Sequence, residues 1–348
     1  MKRIITFTFL IFSLGFLEIK AQDPQFSQYY AAPLYINPAM AGSEDDTRFI
    51  LNYRNQWPNL DASFQSVSFS IDKYFDNINS GFGLIVNRDE ATGAGYRSQS
   101  VGLQYAYELE LSENYRLRAG MDLSYVMRDF NFFNLTFGDQ FDGQGFSGTT
   151  QEQLDSDRLN YFNVSTGFLL YSDKYFIGLS AHNMNRPNQD ILETQNQVVA
   201  NSRLPIRYDL QLGAKIPLDR NQDWRDQYRP GYREKSITPT LLYKRQGTFE
   251  QLDLGVYVTY EPVIFGVWYR GIPITPYRPG ITNHESLIGL VGFKMGSLAI
   301  GYSYDFTISS LAPDSGGAHE LSLRYLLKTK QRYGVRRKLS PGLPCPRF

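Results

Sequence analysis

A single cysteine, Cys345, in 348 residues excludes an internal disulfide framework, so stability has to come from packing or from closure of a sheet. That cysteine sits in a proline-rich end without a resolving partner and reads as part of an inert tail or an intermolecular contact. Three histidines, His182, His284 and His319, come without a serine nucleophile elbow or a His-Glu metal pair, so no catalytic site and no cofactor are expected. Lys and Arg number 35 against 35 Asp and Glu, leaving no net field to attract nucleic acid or an anionic surface. Past the first residues no apolar stretch approaches the roughly 20 residues of a transmembrane helix. A mature chain lodged in a membrane would have to cross it with strands.

The start of the chain has its own pattern. Lys2 and Arg3 precede an apolar run from Ile4 to Leu17, and the small residue Ala21 stands before Gln22. This is the layout of a secretory signal peptide over residues 1–21, with cleavage expected after Ala21. The run is too short for an anchoring span and is followed by Glu18 and Lys20. No cysteine at its end points to lipoprotein processing.

What the chain has in excess is aromatic residues, with Tyr 25 and Phe 24, together with 29 glycines. The dominant order is alternation with period two, which belongs to strands with one apolar and one polar face. Val101, Leu103, Tyr105, Tyr107, Leu109 and Leu111 alternate with Gly102, Gln104, Ala106, Glu108 and Glu110. Only Ser112, Glu113 and Asn114, a hairpin-length turn, separate this run from the next, in which Leu117, Ala119, Met121, Leu123 and Tyr125 alternate with Arg116, Arg118, Gly120, Asp122 and Ser124. The same pattern returns around Tyr208 to Ile216 and around Leu298 to Phe306. Extended along the chain it gives about fourteen strands between residues 47 and 328, among them 95–111, 114–129 and 204–218, a transmembrane antiparallel β-barrel in the all-β class.

Bacterial barrels keep both termini in the periplasm, with short periplasmic turns and longer external loops. Residues 112–114, 172–173, 261–262 and 296 fall where periplasmic turns belong and are short; 130–157, 183–203, 272–284 and 309–317 fall where external loops belong and are long. Two places resist: 219–234 is long where a turn is expected, and Gln246 with Gly247 is tight where a loop is expected. A secreted β-sandwich also alternates, but its strands are typically about 5–6 residues long, whereas several here reach a dozen. In the barrel reading Glu108, Glu110, Arg116, Arg118, Arg128, Arg207, Asp209, Arg270, Asp305, Glu320 and Arg324 face a polar lumen, where cross-strand ion pairs are the plain explanation and a solute path the sharper one.

Residues 22–46 lack any strand period. They read Asp23-Pro24-Gln25-Phe26-Ser27-Gln28-Tyr29-Tyr30, then Leu34-Tyr35-Ile36-Asn37-Pro38-Ala39-Met40. A segment with repeated prolines has few backbone donors to leave unpaired and suits a lumen, so Asp23, Pro24, Phe26, Tyr29, Tyr30, Asn37, Pro38 and Ala39 are candidate residues of a plug; a periplasmic segment that docks elsewhere is the other reading. Residues 329–348 are expected to form a periplasmic C-terminal tail. In the long connection 219–234, Trp224, Arg225, Tyr228 and Arg229 combine aromatics with arginine as interface centres do, and they are candidate partner contacts beside the plainer reading of a polar loop or a miscounted strand. The stretch with Asp139, Asp142, Asp155 and Asp157 has oxygen ligands but a spacing that fits no calcium loop, so no metal is assigned to it.

The opening just quoted, with Arg54-Asn55-Gln56-Trp57-Pro58, Gly301-Tyr302-Ser303-Tyr304-Asp305-Phe306-Thr307, Gly317-Ala318-His319-Glu320-Leu321-Ser322-Leu323 and the ending Cys345-Pro346-Arg347-Phe348, resembles the PorP/SprF family across nearly the whole mature chain. The resemblance implies an outer-membrane barrel of a Gram-negative, Bacteroidetes-type cell that works with the type IX secretion and gliding machinery. Its implied partners are a secreted cell-surface protein, other type IX components and outer-membrane lipid. The tripeptide Asn37-Pro38-Ala39 is also similar to the N-terminal hatch of long-chain fatty-acid transporters, so a channel for a small or hydrophobic solute stands as the alternative.

Overall fold

The computed structural model describes residues 25–61, 63–93, 95–131, 141–142, 145–146, 158–189, 203–219, 231–272, 283–309, 315–328 and 343–344. Seventeen β-segments occur in it, three of them only two residues long, which leaves fourteen wall strands. These are β1 (Thr47–Gln56), β2 (Phe64–Phe75), β3 (Ser80–Ala91), β4 (Tyr96–Glu110), β5 (Arg116–Phe130), β6 (Arg158–Tyr171), β7 (Tyr175–His182), β8 (Arg207–Ala214), β9 (Lys235–Gln246), β10 (Phe249–Tyr260), β11 (Val263–Ile272), β12 (Asn283–Met295), β13 (Leu298–Thr307) and β14 (Ala318–Leu327). Each pairs antiparallel with its neighbour in sequence, and β1 pairs with β14 from Thr47 opposite Leu327 to Gln56 opposite Ala318. The sheet is therefore a closed antiparallel barrel, and closure removes the edge that an open sheet would expose.

Burial along the strands is inverted relative to a soluble sandwich. Leu103 is 65% exposed and Phe265 55%, whereas Arg270 is 0% and Glu320 1% exposed. Apolar side chains cover the outside and charged ones the inside, which is the pattern for a wall immersed in lipid and excludes a sandwich core. Aromatic pairs cluster outside near both ends of the wall: Phe82 packs on Phe75 and Tyr105 at one end, and Trp57 on Phe64, Tyr96 on Phe130 and Tyr125 on Phe162 at the other. Such girdles suit the two water interfaces of a membrane. No helix among the described residues is long and apolar enough to cross a bilayer, so crossing falls to the strands.

The strand reading agrees with these bounds within a few residues except at β8. Alternation predicts 204–218, but the strand runs from Arg207 to Ala214 and resumes only at Ile216–Pro217. Pairing with β9 breaks after Gly213 opposite Thr240 and returns at Ile216 opposite Ile237 in the same register, so the gap falls opposite Pro239, which has no N–H to give. The two places that resisted the pattern are real features. Fourteen wall strands leave residues 218–234 as a long connection at the end where β1 begins and β14 ends. At the opposite end Gly247, with φ +60°, heads a two-residue turn between β9 and β10, the position where a tight hairpin favours glycine. Glu110 departs from the inward set: at the last residue of β4 it is exposed at the rim, with its carboxylate 3.8 Å from Arg116.

Candidate functional site

Residues 25–43 lie inside the ring of strands as three short helical turns, Tyr29–Ala31, Pro33–Ile36 and Pro38–Met40. Pro33 and Pro38 each open a turn, where a missing N–H costs nothing, and the Asn37 side chain accepts from Ala39 N at 2.9 Å to cap the last one. Turns this short leave carbonyls unpaired, and inward side chains of the wall take them up. Gln104 donates to Leu34 O at 2.8 Å, Ser180 to Ile36 O at 2.8 Å, and Arg118 through Nε to Ala39 O at 2.9 Å. Arg118 also donates to Ala41 O, and Arg48 to Met40 O. In the other direction Asp72 accepts from Gly42 N at 2.7 Å, and Glu320 from the backbone of Ser27 and Gln28 at 2.7 and 2.9 Å.

Two amides act as keys. Asn37, fully buried, donates to Phe168 O, Leu179 O and Gln211 Oε1 at 3.1, 3.3 and 2.9 Å, spanning β6, β7 and β8. Gln28, also fully buried, donates to Ser303 Oγ and Glu320 O and accepts from Ser322 Oγ at 2.6 Å, tying the segment to β13 and β14.

Ser27 lies at the centre of a buried charge cluster. Its hydroxyl donates to Asp305 Oδ2 at 2.6 Å and accepts from Arg54 at 2.6 Å and Arg270 at 3.1 Å. Arg54 further pairs with Asp305 at 2.8 Å and Glu320 at 3.3 Å; Arg270 pairs with Asp253 at 3.0 Å and Asp305 at 3.3 Å. A second cluster joins Asp209 to Arg207 at 3.2 Å and to His182 at 3.4 Å, with His182 also 2.9 Å from Ile36 O. Buried pairs of this kind are weak sources of net stability but hold geometry firmly, because losing one partner strands a charge in a site with little water.

Glycines decide how closely the segment approaches the wall. A Cβ on Gly120 would stand 2.3 Å from Ala39 N and 2.4 Å from Pro38 C, and one on Gly167 would stand 2.0 Å from Asn37 Oδ1. Gly120→Val is therefore expected to weaken seating of the segment by about 1–3 kcal/mol, the usual cost of overpacking. Chymotrypsin should then cut at Tyr29, Tyr30 or Tyr35 in folded barrels where the native chain is protected.

Of the residues singled out by sequence, Phe26, Tyr29, Tyr30, Asn37, Pro38 and Ala39 are all buried among inward side chains. Tyr29 donates to Thr240 at 3.1 Å, and Tyr30 packs edge-on against Phe176 and Tyr257. Asp23, Pro24, Trp224, Arg225, Tyr228 and Arg229 lie outside the described residues, as do Cys345 and most of the acidic stretch. His284 and His319 hydrogen-bond Tyr269 and Tyr302 respectively. Sequence reasoning passed over Ser27, Gln28 and the inward glycines. The available signal was a glycine, Gly120, at an inward position of a strand otherwise lined by Arg, Asp and Ser, with Gly167 directly opposite it on β6.

On the long-loop side of the segment lies a polar cavity of about 110 Å³, lined in part by Asn87, Ser100, Asp122, Asn163, His182 and Arg207.

A closed fourteen-strand wall, apolar outside and charged within, defines an outer-membrane β-barrel. The chain belongs to the PorP/SprF family of type IX secretion system membrane proteins, whose model matches residues 18–325. No curated protein matches it. Solved structures similar to it include a FadL homologue of Pseudomonas aeruginosa, at 12% identity and TM-score 0.43 over 83% of this chain and 92% of that one. Omp33 of Acinetobacter baumannii is similar at 7% identity and TM-score 0.41, over 81% of this chain and 99% of the other. Likeness this loose carries nothing about function.

Proposed function

We propose that this barrel is a plugged, non-catalytic component of the type IX secretion and gliding machinery, which receives or holds an exported cell-surface protein at the outer membrane of a Bacteroidetes-type cell. The observation that carries the reading is the fit of residues 25–43 to the inward face: backbone carbonyls, two buried amides and a serine inside an arginine cluster are all matched by the wall. A lumen filled in part by the protein's own chain, with wall groups bonded to it, leaves less room for a solute, which favours work through protein contacts on the loops and turns. We assign a partner surface to the connection 218–234, at the end where β1 begins and β14 ends, with Trp224, Arg225, Tyr228 and Arg229 as its contacts.

The test is gentle extraction of tagged protein from outer membranes and mass spectrometry of what accompanies it. A large secreted protein or periplasmic machinery components are expected in the eluate. The competing reading is a solute channel, for which the polar cavity of about 110 Å³ is the favouring feature. Isolation of the barrel alone, with ligand uptake or conductance by the native chain in liposomes, would put the channel first.

A further inference from the structure

We propose that Leu343 and Pro344 are a second occupant of the lumen, docked in an apolar chamber at the end where β1 begins and β14 ends. The chamber is a departure from the rest of the interior. Along the arc from β10 to β13 the inward positions include Tyr257, Ile264, Trp268, Ile288, Leu290 and Ala299, each no more than 5% exposed. Apolar side chains on the wet face of a barrel are unfavourable unless something covers them. The wall is shaped for this, since Trp268 lies where a Cβ on Gly255 or Gly266 would come within 1.9 or 2.5 Å of its ring.

Leu343 is 3% exposed and joins the same buried cluster as these residues, which also includes Tyr29 and Tyr30. Pro344 is buried beside it. Ile264 and Ala299 are each the second residue of their strands, so the chamber begins at the rim where β14 ends at Leu327. Fifteen or so residues span up to about 50 Å when extended, ample to return from that rim to the interior. The docked pair also suits a dry site, since Pro344 brings no N–H donor and has a fixed φ, with little backbone entropy left to lose.

This inference stands apart from the identity of any client. Its test uses the full chain with Cys345→Ser and Leu343→Cys, combined in turn with Ile264→Cys, Leu290→Cys or Ala299→Cys. Met295→Cys, on the outside of β12 and 62% exposed, is the control. After oxidation of folded barrels, mass spectrometry should find a disulfide from position 343 to at least one interior position and none to 295. Absence of every interior disulfide, or equal yield at 295, overturns the proposal.

Should the cysteine variants fail to insert, tryptic release of the tail at Arg336 or Arg337 decides instead. Leu343→Asp is expected to speed release about tenfold or more, the scale of burying one leucine; release at the native rate overturns the proposal. Neither readout involves a partner, so a client that fails to co-purify leaves the result untouched.

Discussion

Deleting residues 25–43 is expected to turn a silent barrel into a conducting one. The ladder does not depend on the segment: β1 pairs with β14 from Thr47 on and with β2 from Arg48 on. Backbone pairing in the wall therefore survives the deletion. What changes is the interior, where Arg54, Arg118, Gln104 and Asp72 lose their bonds to the segment and take up water in its place, as charged groups in an open lumen do readily. In planar bilayers the native chain should show no resolvable current steps and the deletion stable ones, larger again when the chain also stops after Lys328. A doubly truncated barrel that folds yet conducts no better than the native chain would mean that the segment is not what fills the lumen. Asn37→Ala should go part of the way, because three hydrogen bonds across β6, β7 and β8 rest on one amide.

How much of this is legible in the sequence depends on the range of the interaction. Alternation is local, so β4 and β5 emerge almost residue for residue, expected at 95–111 and 114–129 and found at Tyr96–Glu110 and Arg116–Phe130. It also separates the lipid face from the lumen face, since every second residue must match one of two solvents. β8 is where local pattern fails, because the break is imposed by Pro239 on the neighbouring strand. The interior contacts are further out of reach. Gln28 and Glu320 are 292 positions apart, and nothing in either neighbourhood says that a carboxylate at one inward position will cap two N–H groups near the start of the chain. Proline content indicated that residues 22–46 suit a lumen, but which residues lock them there is a property of the closed barrel. The inward glycines were the nearest thing to a written clue, and they read as such only once the facing backbone is known.

The largest stability effect is expected from Arg270→Met. Arg270 is wholly buried and reaches Asp253 at 3.0 Å, Asp305 at 3.3 Å and the Ser27 hydroxyl at 3.1 Å. Its loss leaves Asp253, 1% exposed, without a hydrogen-bonded cation and with the Gln251 amide at 2.9 Å as its hydrogen-bond donor, while Asp305 keeps Arg54. Removing one member of a buried pair costs on the order of 3–5 kcal/mol, because the remaining charge has neither partner nor water. Urea unfolding of barrels in lipid vesicles should show that loss, and Arg270→Met with Asp253→Asn should recover most of it, since the stranded carboxylate is then neutral. Arg88 supplies the contrast: it pairs with Glu90 at 2.9 Å but is half-exposed at the far end of β3, so Arg88→Ala should stay within about 1 kcal/mol. Equal costs at the two sites would show that water reaches Arg270 as freely as Arg88. The interior would then be an open, wet pore, and the tight seating of Ser27 between Arg54 and Arg270 could not be what keeps the N-terminal segment in place.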